Sequence, residues 1–490
     1  MWTSFSRSSL RSLRNASINP RFNKRAPDSR RFIATMGERT YDDAINALNT
    51  LQTPYEVLKK RWEAGIKLDE GANREMRQHL TRIGYTQDDL ERLNIVHVAG
   101  TKGKGSTCAY VDSILNRYRK SHDLPQKVGL FISPHLIAVR ERIRINSAPI
   151  SAPMFAKYFF EVWDRLEAAA ISSSEPFEKP VYFRYLNLMS YHVFLQEGVD
   201  AAIYEVGVGG EYDSTNIVDR PAVTGISSLG IDHVFTLGDT IDKIAWHKAG
   251  IQKAEVPSFT VNQKPEAMEV VEKRARGNAS LAIRLAETVL NKLDSKFNTS
   301  SNSLPQEFVE ALEQVVWRGR CETKVDGNVT WYLDGAHTAD SIIVAAKWFG
   351  DEVAKKNGPR VLIFNQQGHR EAIGLLEGLH SAIQGSVKFD HVVFCTTSIQ
   401  KENASKKDFV NLSYDPKSIS ELTMQKAFAE KWRSLDSNLE TDVQVLPSVE
   451  DAFEYVRGLA TDEVHAQALI TGSVHLVGRA LGSLESVDAL

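Results

Sequence analysis

Residues 94–118 read NIVHVAGTKGKGSTCAYVDSILNRY. The β-branched run over residues 95–98 predicts a short buried strand, and the apolar spacing after Ser106 predicts an amphipathic helix. Between them lies Gly100-Thr101-Lys102-Gly103-Lys104-Gly105-Ser106-Thr107. Glycines let a backbone turn tightly and aim its N–H groups at phosphate oxygens. The helix that follows presents its positive N-terminal end to the same anion. Lys104 adds a point charge, and Ser106 or Thr107 offers a hydroxyl to a metal. The spacing departs from GxxxxGK[ST], because Val98 stands where the first glycine would be. A glycine-lysine turn alone is an ordinary surface feature; a strand before it and a helix after it make it a phosphate loop.

Working outward, the same alternation continues. Strand-like AAIYEVG (201–207), AVTGISSLG (222–230) and VPSFTV (256–261) are separated by helical stretches. A second alternating run starts near Val325 and includes TWYLDG, RVLIFN, DHVVFCT, DVQVLPS and AQALITGS, each with a helical neighbour. Residues 41–93 read as helices. The polar stretch 298–307 reads as a surface loop in the second unit or a short insertion in it. This pattern predicts two α/β units with mostly parallel sheets covered by helices on both faces.

Composition limits the function. With 42% hydrophobic and 25% charged residues, the 490-residue chain has the balance of a globular protein and length for more than one domain. No apolar run reaches the ~18–20 residues of a membrane span. A net charge of −3 gives no overall field that would draw nucleic acid. Three scattered cysteines, Cys108, Cys321 and Cys395, form neither a disulfide framework nor a zinc site, which suits a reducing compartment. Charge is uneven. Residues 1–35 carry eight basic side chains and one acid, a net of +7, leaving −10 on the remainder. This serine-rich, basic segment reads as a mitochondrial transit peptide leading to the matrix, and Met36 offers a second start for a cytosolic form.

Longer motifs then become recognisable. HVAGTKGKGST, ISPHLIAVRERIRIN, EVGVGGEYDSTN, SSLGIDHVFTLGDTIDKIAWHKAGI and YLDGAHTADS resemble the folylpolyglutamate synthase family of eukaryotic type, in the Mur-ligase superfamily. The similarity runs in order from Tyr41 to Gly478. It implies a P-loop domain with a mostly parallel, Mur-ligase-like sheet over residues 40–275, and a smaller Rossmann-like α/β domain over 276–490. Residues 1–39 precede both. The implied activity is an ATP-dependent amide ligase that adds L-glutamate to reduced folate polyglutamates. Its implied ions are Mg²⁺ and a monovalent cation, and a monomer is expected. A dihydrofolate synthase or another Mur-type ligase shares these motifs.

The residues carry their own arguments. Glu205 ends an apolar strand, where a carboxylate faces the ligand crevice of a parallel sheet, or is simply a satisfied strand-end acid. His233 and Ser133 sit in loops after strands, positions that suit structural residues as well as ligands. The resemblance implies that Ser133, Glu205 and His233 hold magnesium. Lys248 reads as a solvated lysine in a last helical turn; the resemblance implies a carbamylated lysine, which requires a depressed pKa because CO₂ reacts with the neutral amine. Gly103, Lys104, Gly105 and Ser106 match the ATP loop. The resemblance further implies that Asn278 and Arg320 contact ATP, Asp334 contacts its ribose, and His337 lies near the transferred group. WRGR replaces the family's WPGR, so Arg318 stands for a proline and alters the stiffness of the turn. Phe183 and Tyr185 are either core aromatics or platforms for a flat pterin ring. Arg140, Arg142 and Arg144 are candidates to meet the polyanionic folate, or are a solvated edge strand. Finally, the family carries about thirty more residues between Ala275 and Arg276, a change that loops tolerate and a sheet strand does not. This predicts either an incomplete coding sequence or a nucleotide-binding product impaired in ligation.

Overall fold

The computed structural model describes residues 39–65, 70–173, 177–274, 281–297, 305–366, 370–383, 387–397, 407–436 and 441–490. The basic segment 1–35, the position 275/276 and Asn278 lie outside these residues.

The first sheet is built from β1 (Val96–Ala99), β2 (Val128–Phe131), β3 (Ile143–Ile145), β4 (Ala148–Pro149), β5 (Ala201–Glu205), β6 (Val223–Ile226) and β7 (Ser258–Thr260). Its order is β4-β3-β2-β5-β1-β6-β7. All pairs are parallel except those made by β3, whose hairpin to β4 closes one edge. The strand before the phosphate loop is therefore interior, between β5 and β6, which is where an open α/β sheet forms its ligand crevice.

Burial on both faces explains the continuous apolar runs. Along β5, Ala202 and Tyr204 join the core under helices Tyr41–Asn49, Ala152–Ser172 and Tyr182–Glu197. Ala201 and Ile203, one residue out of phase, join the opposite core under helix Lys104–His122. Each large apolar side chain buried this way contributes about 1.5–3 kcal/mol.

Helices Leu281–Leu293 and Gln306–Gln314 belong to that second face. Leu285, Leu290 and Phe308 are fully buried in the core shared with Val96, Val223 and Ile114. Both helices follow position 275/276, so the first layer reaches on to Gln314.

The second sheet holds β8 (Glu322–Asp326), β9 (Val329–Leu333), β10 (Arg360–Phe364), β11 (His391–Cys395), β12 (Asp442–Leu446) and β13 (Ala466–Thr471), in the order β12-β11-β10-β13-β9-β8. Only β8 runs antiparallel, and its partly exposed residues fit an edge. The same one-residue phase divides this sheet's two cores: Tyr332 and Leu469 on one face, Trp331 and Ile470 on the other.

Candidate active site

The phosphate loop is braced from β6. Thr101 and Lys102 donate their backbone N–H groups to Ser228 O at 2.9 and 3.0 Å, and the Ser227 hydroxyl donates to Lys102 O at 2.7 Å. Gly100 (φ +146°) lies against Ser227, and a Cβ there would collide with the Ser227 hydroxyl. Gly103, at φ +78°, caps helix Lys104–His122, so Lys104, Gly105 and Ser106 form its first turn. Lys248 stands behind the loop, 2% exposed, and donates from Nζ to Gly100 O at 2.8 Å. It is not a solvated lysine. Burial pushes its pKa down to about 7, helped by the positive charge of Lys104.

In front of the loop is a cavity of about 810 Å³. Gly103, Lys104, Gly105, Ser106, Ser133, Glu205 and His233 line it from the first layer, and Arg320, Asp334 and His337 from the second. Glu205 ends β5, beside Val98 of β1, and is 6% exposed. Its Oε2 accepts the Ser133 N–H at 3.1 Å. Burial raises its pKa; Lys104, the Ser133 N–H and Arg320 oppose that rise. His233 has a left-handed backbone (φ 50°), and its ring stands 3.5 Å from the Asp232 carboxylate. Across the cavity, Asp334 accepts the N–H of Ala336 and of Cys321, each at 2.9 Å. His337 Nδ1 donates to Gly335 O at 2.8 Å, and burial keeps the ring neutral by lowering its pKa. Arg320 donates to Gly319 O at 3.1 Å.

Among the described residues no group of three or more His, Cys, Asp or Glu side chains forms a ready metal cage. Ser133, Glu205 and His233 still share one cavity wall. A buried carboxylate in the cavity that Ser133 and His233 also line suits Mg²⁺, which keeps waters and takes phosphate oxygens instead of demanding a protein cage.

Three contributors went unread in the sequence. Trp317 covers the loop: a Cβ on Gly105 would lie 3.3 Å from its ring. Asp232 lines the cavity and acts electrostatically on Lys102, His233, Lys248 and His337. Lys102 pairs with Asp340 of helix Ala339–Val353, joining the loop to the second layer. Asp232 adjoins the singled-out His233, which is a signal of sorts; Asp340 reads only as an acid in a first helical turn. Arg318 bonds Glu322 at 2.9 Å and Glu485 at 2.5 Å, so this residue ties β8 to helix Val474–Glu485.

A second cavity, of about 370 Å³, lies between the layers and is lined by Arg142, Tyr182, Phe183, Asp408 and His475 among others. Tyr185 does not reach it. That ring is fully buried, packs among Phe159 and Trp163, and donates its hydroxyl to Phe159 O at 2.8 Å. Of the two readings open for Tyr185, core aromatic or ligand platform, the structure gives the core one, and its place as a folate contact is corrected: two residues on from Phe183, the helix has turned it away from the cavity. Arg140 turns away from this cavity, to Ile150 O and Asp488; Arg144 bonds Ser147 O and Leu490 O and lines the larger cavity instead.

A phosphate loop at an interior strand, faced across a cleft by the strand ends of a second α/β sheet, defines a two-domain nucleotide-binding α/β protein. No family model matches the chain. A folylpolyglutamate synthase of Neurospora crassa is 54% identical over 491 residues, covering 92% of this chain and 93% of its own. One of Saccharomyces cerevisiae is 41% identical over 488 residues, covering 92% and 88%. The solved Mycobacterium tuberculosis folylpolyglutamate synthase complexed with ADP shares the fold at a TM-score of 0.64, with 22% identity, covering 91% of this chain and 100% of its own. The chain belongs to the folylpolyglutamate synthase family. Since 92% of 490 residues is fewer than 491 aligned positions, the Neurospora relative has residues opposite gaps in this chain.

Proposed function

We propose that this chain is an ADP-forming ligase that joins L-glutamate to the γ-carboxylate of a reduced folate or its polyglutamate tail. The observation that carries the reading is the convergence of Lys104 and Glu205 with Arg320, Asp334 and His337 on one cavity, in a chain of this family.

A carboxylate does not acylate an amine at neutral pH. In the first step the folate γ-carboxylate oxygen attacks the terminal phosphorus of ATP, and ADP leaves. The glutamate nitrogen then attacks the acyl carbon and gives up a proton, the tetrahedral intermediate breaks its C–O bond, and phosphate departs. Lys104 and the N–H groups of the helix N-terminus meet the phosphate charge from one side, and Arg320 meets it from the other. Asp334 takes the ribose. His337, neutral with its proton on Nδ1, stands at the cavity wall where the transferred group passes. Closing the two layers excludes water that would hydrolyse the acyl phosphate.

Ser133, Glu205 and His233 would hold Mg²⁺, which when bound neutralises phosphate charge; a monovalent cation completes the ions of this reading. Lys248, depressed to about 7, has at neutral pH a substantial fraction of the neutral amine that carbamylation by CO₂ requires. Residues 1–35 serve as a mitochondrial import signal, and initiation at Met36 leaves a cytosolic form. The protein acts as a monomer.

Purified protein should form ADP only when tetrahydrofolate and L-glutamate are both present. Equal ADP formation with dihydropteroate would point to the related synthase, and failure to bind ATP at millimolar concentration would end the ligase reading. A fluorescent reporter fused to residues 1–40 should enter mitochondria; a wholly cytosolic reporter would end the targeting reading.

A further inference from the structure

The second cavity contains a chain of contacts that begins in one layer and ends at a cation in the other. Arg142 is 8% exposed and lines the cavity. Among the described residues its hydrogen bond is Nε–H to His135 Nδ1, at 3.0 Å, which leaves its Nη groups for a ligand. Because His135 Nδ1 accepts, the neutral ring carries its proton on Nε2. That proton is donated to the backbone oxygen of Asp408, at 3.1 Å. One partner on each side thus holds both the tautomer and the plane of the imidazole.

Asp408 comes from the second layer, in the 3-10 turn Lys407–Phe409 that follows β11. Its carboxylate is anchored on the first layer: Oδ1 accepts the Val139 N–H at 2.8 Å and the Tyr41 hydroxyl at 2.5 Å. Neighbours fasten the same segment to helix Tyr41–Asn49 and the turn after it. Asn49 donates to Lys407 O, Lys407 pairs with Asp42, and Gln52 donates to Val410 O. The backbone oxygen that His135 meets is therefore held by the fold and not by a free loop.

We infer that Asp408 and His135 are positioning residues, which orient the Arg142 guanidinium toward the cavity so that it can pair with a carboxylate of the folate substrate. The inference rests on the folate reading above. A carboxylate matches the planar fork of arginine, and that match depends on the fork's orientation. The arrangement also makes the folate-side cation complete only when the second layer is docked on the first.

The test is a double-mutant cycle on the full chain, with KM for tetrahydrofolate, KM for ATP and kcat measured separately. His135→Leu should raise the folate KM about tenfold or more, the range for losing a hydrogen bond to a charged group, while the ATP KM stays within about twofold. His135→Gln, which can both accept from Arg142 and donate to Asp408 O, should recover most of the loss. Asp408→Ala should raise the folate KM in the same direction. In an Arg142→Ala background, His135→Leu should add little, because its effect runs through Arg142. A full additional loss in that background, or an equal rise in ATP KM, would overturn the positioning role. If His135→Leu does not fold, comparing Asp408→Ala with and without Arg142→Ala decides the same question. A wild-type chain that binds ATP but shows no turnover and no folate binding would sink the folate reading itself, and the positioning role with it.

Discussion

Lys104 stands at the first position of helix Lys104–His122, and Glu205 at the end of the neighbouring β5, so each meets the cavity from a rigid element. Lys104→Ala and Glu205→Ala should each lower kcat by about 10²–10³, the scale for losing preorganised charge stabilisation. Their thermal unfolding should stay close to wild type; a tenfold or smaller loss in both would make these residues structural. His97 tests a different property. Its ring is fully buried in β1, its Nε2 is bonded to Thr215, and burial lowers its pKa to about 3 from the usual 6.5. As pH falls below 6.5 the unfolded chain takes up this proton and the folded chain does not, so His97 costs stability on the acid side. His97→Gln keeps a donor for Thr215 and removes the titration. Relative to wild type it should gain about 2 kcal/mol in urea unfolding between pH ~7.5 and ~5. An unchanged difference across that range would mean that the ring is protonated in the folded chain.

Helices Leu281–Leu293 and Gln306–Gln314 show how an element's role depends on what it covers. Phe308 is fully buried, and the Ser113 hydroxyl and an Arg117–Glu310 ion pair tie the second of these helices to the one that carries the phosphate loop. Phe308→Ala should cost about 3–5 kcal/mol, the range for emptying a core aromatic site. A loss under about 1 kcal/mol would show these helices to be appendages instead of part of the first core.

Across the whole molecule, function requires the two layers to meet. Helix Val474–Glu485 touches the loop after β2 through Gly478: a Cβ there would run into the backbone carbonyl of Leu136. Backbone cannot swing aside as a side chain can, so Gly478→Ala must push the second layer away from the Ser133–Glu205 wall. Because a misplacement of ~1 Å can cost 10²-fold, kcat should fall at least tenfold. ATP binding should weaken without being abolished, since the loop keeps its backbone braces from β6 while Arg320, Asp334 and the Asp340 tie move with the second layer. Wild-type kcat in this variant would show that Gly478 is not a close contact during turnover.

The alternation of strands and helices was legible because both faces of a parallel sheet are buried, which leaves continuous apolar runs bounded by glycine turns. The phosphate loop was legible for a local reason too: Gly100, Gly103 and Lys104 are neighbours in the chain. Asn278 and the position 275/276 lie outside the described residues. What no periodicity could tell was which sheet a helix covers. Leu285 and Phe308 lie on apolar faces that would fit either layer, and only packing assigned them to the first. Phe183 and Tyr185 are two residues apart on one helix, yet one lines a cavity and the other fills the core, because a helix turns about 200° between them. Lys248 looked solvated until the fold put Gly100 over it. The Asp408–His135–Arg142 chain joins His135 to a residue 273 positions away, and Lys102–Asp340 joins residues 238 apart. Contacts over such separations leave no local pattern, since they exist only once two independently readable layers have docked.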